Sequence, residues 1–222
     1  VWTGGGVDSN WTTGANWQGG TAPTTTDVAF FNSTCGGNCD VTIDTNIDVL
    51  GIRADSTYTG TITQSAGVTM TIGTGDFLLY GGTFIGGDSA ITVAGHVLIG
   101  NSAFTSTSGL LKIGRTSLTT ISDGLELKTG SFAHNSGTVE FAGRSNVNCS
   151  DTYANRILLE QNITFNNLDI SISDEDGGGC SSENKFNDAY LSLSAGHDVN
   201  VQGTLNVNDG YISGGTINAY GA

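Results

Sequence analysis

Short apolar runs separated by turn-forming residues are the feature that most limits how this chain folds. From Val41 onward, runs of three to six residues rich in Val, Ile, Leu, Phe and Thr are cut by Gly, Asn, Asp or Ser every six to ten residues. This spacing is typical of β-strands joined by turns. No window keeps a 3.6-residue apolar period long enough to indicate a helix. The sequence therefore predicts an all-β protein.

The turn-forming residues and the strands that follow them also recur along the chain. The phrase Gly-Gly-Thr-Phe at Gly81–Phe84 is echoed at Asn101–Phe104, Gly130–Phe132 and Gly214–Ile217, and the interval from Phe84 to Phe104 is 20 residues. Such an interval is typical of one coil of a solenoid. A degenerate repeat of short strands predicts stacked coils around a shared core, which is a parallel β-solenoid or β-helix. A β-sandwich is the alternative, because its turns recur at similar intervals.

The N-terminal residues differ from the repeat. Residues 1–40 contain Trp2, Trp11 and Trp17, which are all the tryptophans of the chain, together with its single proline. Large aromatic side chains cover the apolar end of a core better than small repeat residues do. We therefore expect an N-terminal cap over residues 1–40 and a solenoid over 41–222. A sugar-stacking site is the alternative interpretation of the tryptophans.

A second irregular region, at about residues 144–188, interrupts the repeat and is predicted to be a lateral insertion. The four cysteines form two candidate pairs, Cys35 with Cys39 around a Gly-Gly-Asn turn and Cys149 with Cys180 within the insertion. In an exported, charge-poor chain, an even number of cysteines indicates disulfides. Zinc binding is the alternative, although no histidine neighbours these cysteines.

Charge and hydropathy limit the partners of the chain. Only 13% of its residues are charged, the net charge is −14, and Lys and Arg together number 7. An acidic surface repels nucleic acid and anionic lipid, so we expect neither as a partner. No apolar run has the length of a membrane span. Val1, in place of Met, is typical of a mature protein after removal of a signal peptide, so we expect a secreted, extracellular or cell-surface protein.

Candidate catalytic residues form no recognisable set. Many acidic residues lie beside glycines in turns, where Asp is favoured for its hydrogen bonds to the backbone. His96, His134 and His197 accompany neither a nucleophile elbow nor a His-Glu-x-x-His pair. We therefore expect no enzymatic activity, and a polysaccharide-active enzyme is the least favoured function.

Calcium is the one cofactor that the sequence suggests. Asp174, Glu175, Asp176 and Glu183 surround a run of glycines and offer the hard oxygen ligands that calcium prefers. Their spacing matches neither an EF-hand loop nor the nonapeptide repeat of calcium-binding β-rolls. A solvated acidic loop is the alternative.

Several phrases carry a family resemblance. The opening Trp2–Gly6, the pairs Asn10-Trp11 and Asn16-Trp17, and Asp27–Phe30 resemble the start of large bacterial β-strand-repeat or autotransporter-like surface proteins. Thr105–Leu110, His134–Phe141 and Phe165–Ile170 are similar to recurring phrases of the same group. The resemblance implies an exported, right-handed β-solenoid in a cell-surface or extracellular polymer, and it implies no particular chemistry.

The far end of the repeat suggests a function. The repeat runs to the last residues without a second cap, so we expect an open end that another molecule covers. Head-to-tail contacts of this kind build filaments when the rotation does not close. The sequence therefore favours a structural subunit of an extracellular filament, sheath or surface layer, and a polysaccharide-binding segment of a cell-surface adhesin is the alternative. The expected self-contact joins Leu205, Val207, Tyr211, Ile212 and Ile217 to the region of Trp2, Trp11 and Trp17 in the next subunit.

Overall fold

The computed structural model describes residues 1–36, 38–114, 122–145, 153–174 and 189–221. Apart from one 3-10 turn at Gly14–Asn16, the regular structure of these residues consists of β-strands. The predicted all-β class is confirmed.

The strands follow one another around three sides of a stack, so that one circuit of the chain makes one coil. In chain order they are β1 Val28–Phe31, β2 Val41–Ile43, β3 Ile47–Val49, β4 Gly51–Ala54, β5 Thr61–Gln64, β6 Met70–Ile72, β7 Phe77–Leu79, β8 Thr83–Ile85, β9 Ile91–Val93, β10 Val97–Ile99, β11 Ala103–Thr105, β12 Leu110–Ile113, β13 Ser122–Leu127, β14 Ser131–Ala133, β15 Thr138–Ser145, β16 Tyr153–Leu159, β17 Ile163–Phe165, β18 Asn167–Asp174, β19 Ala189–Val201, β20 Leu205–Asp209 and β21 Tyr211–Ala219.

The strands pair in parallel from coil to coil. From β1 to β13, each strand pairs with the strand three places further along, and so do β15 and β16. By contrast, β17, β18 and β19 each pair with the strand two places further along. Sheet 1 has the order β1-β4-β7-β10-β13-β16-β19, and both β17 and β21 also pair with β19. Sheet 2 is β2-β5-β8-β11-β14, and sheet 3 is β3-β6-β9-β12-β15-β18-β20. The predicted parallel β-solenoid is therefore confirmed, and the β-sandwich is excluded because its sheets are antiparallel.

A column of phenylalanines shows how the sequence repeat becomes a core. Phe104 lies in register with Phe84 on one side and Phe132 on the other. Its ring centroid is 4.9 Å from that of Phe84 and 5.8 Å from that of Phe132, and Phe165 continues the column 5.4 Å beyond Phe132. The repeated phrase thus places an aromatic side chain at the same inward position of successive coils, where offset and edge-to-face rings pack well.

Polar side chains at the corners join one coil to the next. The Gln64 amide donates to the backbone oxygens of Val68 and Ser89 at 2.6 and 3.2 Å, and its oxygen accepts from the amide N of Gly87 at 2.9 Å. The Asp88 carboxylate accepts from the backbone N–H of Gly67 at 2.7 Å, and this bond is the main reason why the pKa of Asp88 is lowered. Turn residues therefore satisfy backbone groups that the short strands leave unpaired.

The structure moves two of the predicted boundaries. Residues 28–31 form the first strand of sheet 1, so the cap comprises residues 1–27. Residues 153–174, which the sequence assigns to a lateral insertion, form strands of sheets 1 and 3 and belong to the stack. The flanking segments 146–152 and 175–188 lie outside the described residues.

Replacing Phe104 with alanine tests the importance of the phenylalanine column. The ring is 1% exposed, so its removal leaves a cavity, and we expect the free energy of unfolding to fall by about 3–5 kcal/mol. Thr105→Ala is the matched control, because the Thr105 side chain lies on the outer face of the same strand, and we expect a loss below about 1 kcal/mol. Urea unfolding followed by circular dichroism measures both changes. Equal losses in the two variants would contradict the packing described here.

Candidate functional site

The candidate site consists of the two ends of the stack. At the C-terminal end, among the described residues, β20 pairs only with β18 and β21 pairs only with β19. In this part of the chain, each of these strands therefore has a neighbouring strand on one edge only. We call β20 and β21 the terminal coil.

Apolar columns that are buried inside the stack reach the surface at the terminal coil. Ile170 is fully buried, whereas Val207, its register partner in β20, is 48% exposed. The same step from a buried to a half-buried side chain occurs in three further pairs, Leu168 with Leu205, Leu191 with Ile212 and Val199 with Ile217. In the terminal coil, the apolar side chains that continue the core are therefore partly exposed to solvent.

A polar rim surrounds this apolar surface. On the outer face of β20, the Asn206 amide donates to the Asp169 carboxylate at 2.8 Å. On β21, the Asn218 amide donates to the side-chain oxygen of Asn200 at 3.1 Å. The ring of Tyr211 stacks on that of Tyr190 with centroids 5.0 Å apart. An apolar centre with a polar rim is the usual composition of a protein interface.

The five C-terminal residues that the sequence predicts as interface residues therefore lie together on the terminal coil. They are Leu205, Val207, Tyr211, Ile212 and Ile217. Their contact with another subunit stays a prediction.

The three tryptophans lie inside the cap. Trp2, Trp11 and Trp17 are 0–3% exposed, and the ring of Trp17 lies 5.0 Å from that of Trp2 and 4.7 Å from that of Trp11, edge to face. Phe31, in β1, contacts the same cluster at 5.8 Å from Trp17. These rings cover the end of the core, as the sequence suggests. Their burial leaves no ring exposed for stacking on a sugar, and a neighbouring subunit would meet mainly the outer surface of the cap, with Trp11 reaching only the wall of the groove described below.

A short disulfide loop fastens the cap region to the second coil. The Cys35–Cys39 disulfide is present, which confirms the first predicted pair. The indole N–H of Trp2 donates to the backbone oxygen of Asn38 at 3.0 Å, and the hydroxyl of Tyr58 donates to that of Cys39 at 2.6 Å. The loop therefore presents two carbonyls to two buried aromatic donors. The second predicted pair, Cys149 and Cys180, lies outside the described residues.

The cap closes two of the three sheets by backbone pairing. The N–H of Trp2 donates to the backbone oxygen of Phe30, in sheet 1, at 2.8 Å. Asn10 forms a parallel bridge with Thr42, in sheet 2, and the flanking bonds from Trp11 to Thr42 and from Thr42 to Ser9 are each 2.8 Å long. Among the described residues, no backbone hydrogen bond joins the cap to β3, the first strand of sheet 3.

A groove borders the open edge of β3. It has a volume of about 410 Å³ and is lined by Trp11, Thr12, Ala22, Pro23, Thr24, Thr25, Thr45, Asn46, Ile47 and Asp48. Ile47 is buried at 6% exposure, whereas Asp48 is exposed. Sequence reasoning missed this groove, since its two walls come from segments about 20 residues apart that carry no motif.

The remaining predicted site residues form no cluster within the described ranges. Asp174 is the last residue of β18, whereas the other predicted calcium ligands, Glu175, Asp176 and Glu183, lie outside the described residues. Among the described residues, no three or more His, Cys, Asp or Glu side chains lie together in a group suited to a metal ion. The Nε2 atom of His96 lies 3.7 Å from the Glu126 carboxylate.

Comparison with known proteins gives no relative, since no family model, curated protein or solved structure matches the chain. Within the described ranges, no helix has the length and apolar character needed to cross a membrane.

Tyr58 gives a test of the cap region. Burial, with a smaller contribution from the negative charge of Asp40, raises the pKa of Tyr58 above its ordinary value of 10.0. An unfolded tyrosine ionises near pH 10 while the folded one stays neutral, so we expect the stability to fall as the pH rises above about 10.

An absorbance titration of the phenolate measures this effect in a chain with 6 tyrosines. We expect one tyrosine of the wild type to ionise only as the circular dichroism signal of the fold is lost. The Tyr58→Phe variant should lack that delayed step and should unfold more easily at neutral pH, because the carbonyl of Cys39 loses its donor. Complete titration of the wild type near pH 10 with the fold intact would contradict the burial of Tyr58.

Proposed function

We propose that this protein is a structural subunit of an extracellular filament, sheath or surface layer, in which solenoids stack end to end. The proposal rests on the exposure of inward apolar side chains at the terminal coil. Val207 is 48% exposed, although Ile170, its register partner in the preceding coil, is fully buried. The proposal assigns the protein no catalytic role.

Another solenoid end is the surface that complements the terminal coil best. A covering surface has to supply apolar side chains at the coil spacing and backbone groups in parallel strand register. The end of another solenoid supplies both the apolar side chains and the backbone groups. If that solenoid is a second copy of the chain, the same contact forms at every junction. Because the two ends of one chain differ, the contact is heterologous and repeats along an axis.

Two further features support an extracellular assembly. The Cys35–Cys39 disulfide fits an oxidising compartment, where such bonds persist. The net charge of −14 opposes side-by-side contact between like-charged copies. The terminal coil is less affected, since β20 and β21 contain one charged residue, Asp209, whereas Asn206, Asn208 and Asn218 are uncharged.

The variant Ile217→Asp tests the proposal. Ile217 is half-buried at the head of an inward column whose previous member, Val199, is fully buried. A carboxylate at this position would be buried unpaired in the junction, so we expect the variant to stay monomeric at concentrations where the wild type forms fibres. Sedimentation velocity and electron microscopy measure the difference.

Ser213→Asp is the matched control, because it adds the same charge to the same strand at a position whose register partner, Ser192, is neutral. We expect this variant to form fibres like those of the wild type. A wild type that stays monomeric at high concentration, or fibres of the Ile217→Asp variant identical to those of the wild type, would overturn end-to-end stacking through the terminal coil.

A further inference from the structure

Sheet 3 differs from the other two sheets at the N-terminal end of the stack. The cap pairs with sheet 1 through Trp2 and with sheet 2 through Asn10 and Trp11, whereas the edge of β3 borders the groove. At the opposite end, sheet 3 finishes at β20, and the described structure places no further strand on its outer edge. Among the described residues, sheet 3 is therefore the sheet with no strand or cap segment paired to the outer edge of either its first or its last strand.

The backbone of β3 has groups available for a further strand. The N–H of Ile47 donates to Thr69 at 3.1 Å, and the backbone oxygen of Val49 accepts from Gly73 at 2.8 Å, so both residues direct their backbone groups toward β6. Successive residues of a strand direct these groups to opposite sides. The N–H and C=O of Asp48 consequently point toward the groove.

The side chains of β3 and β20 also match. In β3 the sequence Ile47-Asp48-Val49 reads inward, outward, inward, with the first and last side chains buried and Asp48 exposed. The triplet Leu168–Ile170 of β18 has the same apolar–Asp–apolar pattern, and it already pairs with Leu205–Val207 of β20. β3 therefore has the same side-chain pattern, apolar–Asp–apolar, as the strand that β20 already pairs with on its other edge.

The charges on the outer face agree with this pairing. Asn206 is neutral and donates to the Asp169 carboxylate of β18 at 2.8 Å. Asp48 occupies the position in β3 that Asp169 occupies in β18, so its carboxylate would stand beside the same amide. A carboxylate next to an amide avoids the repulsion of two like charges at directly opposed positions.

We propose that β20 of one copy pairs in parallel with β3 of the next copy, at the groove, and so makes sheet 3 continuous through the filament. This inference rests on the proposed end-to-end assembly and specifies its register: Leu205 opposite Ile47, Asn206 opposite Asp48 and Val207 opposite Val49. The contact buries the exposed Val207 side chain and satisfies the edge groups of both strands, which is the physical basis of recognition by strand addition.

Cysteine cross-linking in the assembled protein tests the register. The double variant Asp48→Cys/Asn206→Cys places two outward thiols on neighbouring strands, where the Cα separation of about 5 Å suits a disulfide. Mild oxidation of the fibres should give a ladder of covalent oligomers on a non-reducing gel. Peptide mapping should identify a bond between positions 48 and 206, and the ladder should disappear on dilution to monomer.

The variant Asp48→Cys/Asn218→Cys is the matched control. Asn218 is also an outward residue of the terminal coil, but it lies on β21, beside Asn200 and away from sheet 3. We expect at least a 10-fold lower yield of cross-linked oligomers from this variant.

Fibres without a bond between positions 48 and 206, or with equal yields from both variants, would overturn the β3–β20 pairing and leave end-to-end stacking in place. A double variant that folds and forms no fibres under conditions where the wild type assembles would overturn the register, because both substitutions lie at exposed positions that the pairing tolerates. A wild type that never assembles would overturn both proposals.

Discussion

Parallel, in-register pairing between successive coils is the interaction on which the rest of this structure depends. Strands of three or four residues are too short to be stable alone, and each gains its hydrogen bonds only from the coils before and after it. The same register aligns inward side chains into columns such as Phe84, Phe104 and Phe132. Packing and backbone pairing therefore reinforce each other along one axis, as in other repeat proteins.

This dependence gives the two ends of the stack their importance. Inside the stack, every coil covers its neighbour, whereas an end coil has a neighbour on one side only. At the N-terminal end, three buried tryptophans, the Cys35–Cys39 loop and the strand-like segment at Asn10 supply the missing cover. At the terminal coil, Val207 and the residues around it remain open. Within the described residues, this difference between the two ends is the observation on which the proposed directional assembly rests.

Much of the fold could be predicted from the sequence, because the signals were local or strictly periodic. The interval between Phe84 and Phe104 matches a register pair. The glycines of Gly81–Phe84 lie in the turn between β7 and β8, and those of Gly214–Ile217 lie where the register between β19 and β21 shifts. The tripeptide Ala-Gly-His also occurs twice, but its two copies do not occupy equivalent positions. Ala94–His96 joins β9 to β10, whereas Ala195–His197 lies within β19 at a shift of register, so the two copies occupy different corners.

The features that sequence reasoning missed depend on contacts between distant segments. Asn16 is fully buried, with its amide donating to the backbone oxygens of Asp8 and Asn10 at 3.0 Å each, and an isolated asparagine gives no sign of such a role. The groove beside β3 arises only when the cap folds over two sheets and stops short of the third. The membership of β20 and β21 in the stack, in contrast, was predictable, because their apolar pattern continues that of the coils before them.

Hydrogen exchange of the amides, followed by mass spectrometry, tests the central claim of end-to-end stacking most directly. The protein would be compared as dilute monomer and as concentrated assembly, with peptides covering β20, β21 and the segment around Asp48. The stacking account predicts that assembly slows exchange in these peptides and leaves exchange in the interior strands, such as β8 and β11, unchanged. Exchange at the terminal coil that is the same in both states, or protection confined to the interior coils, would contradict it.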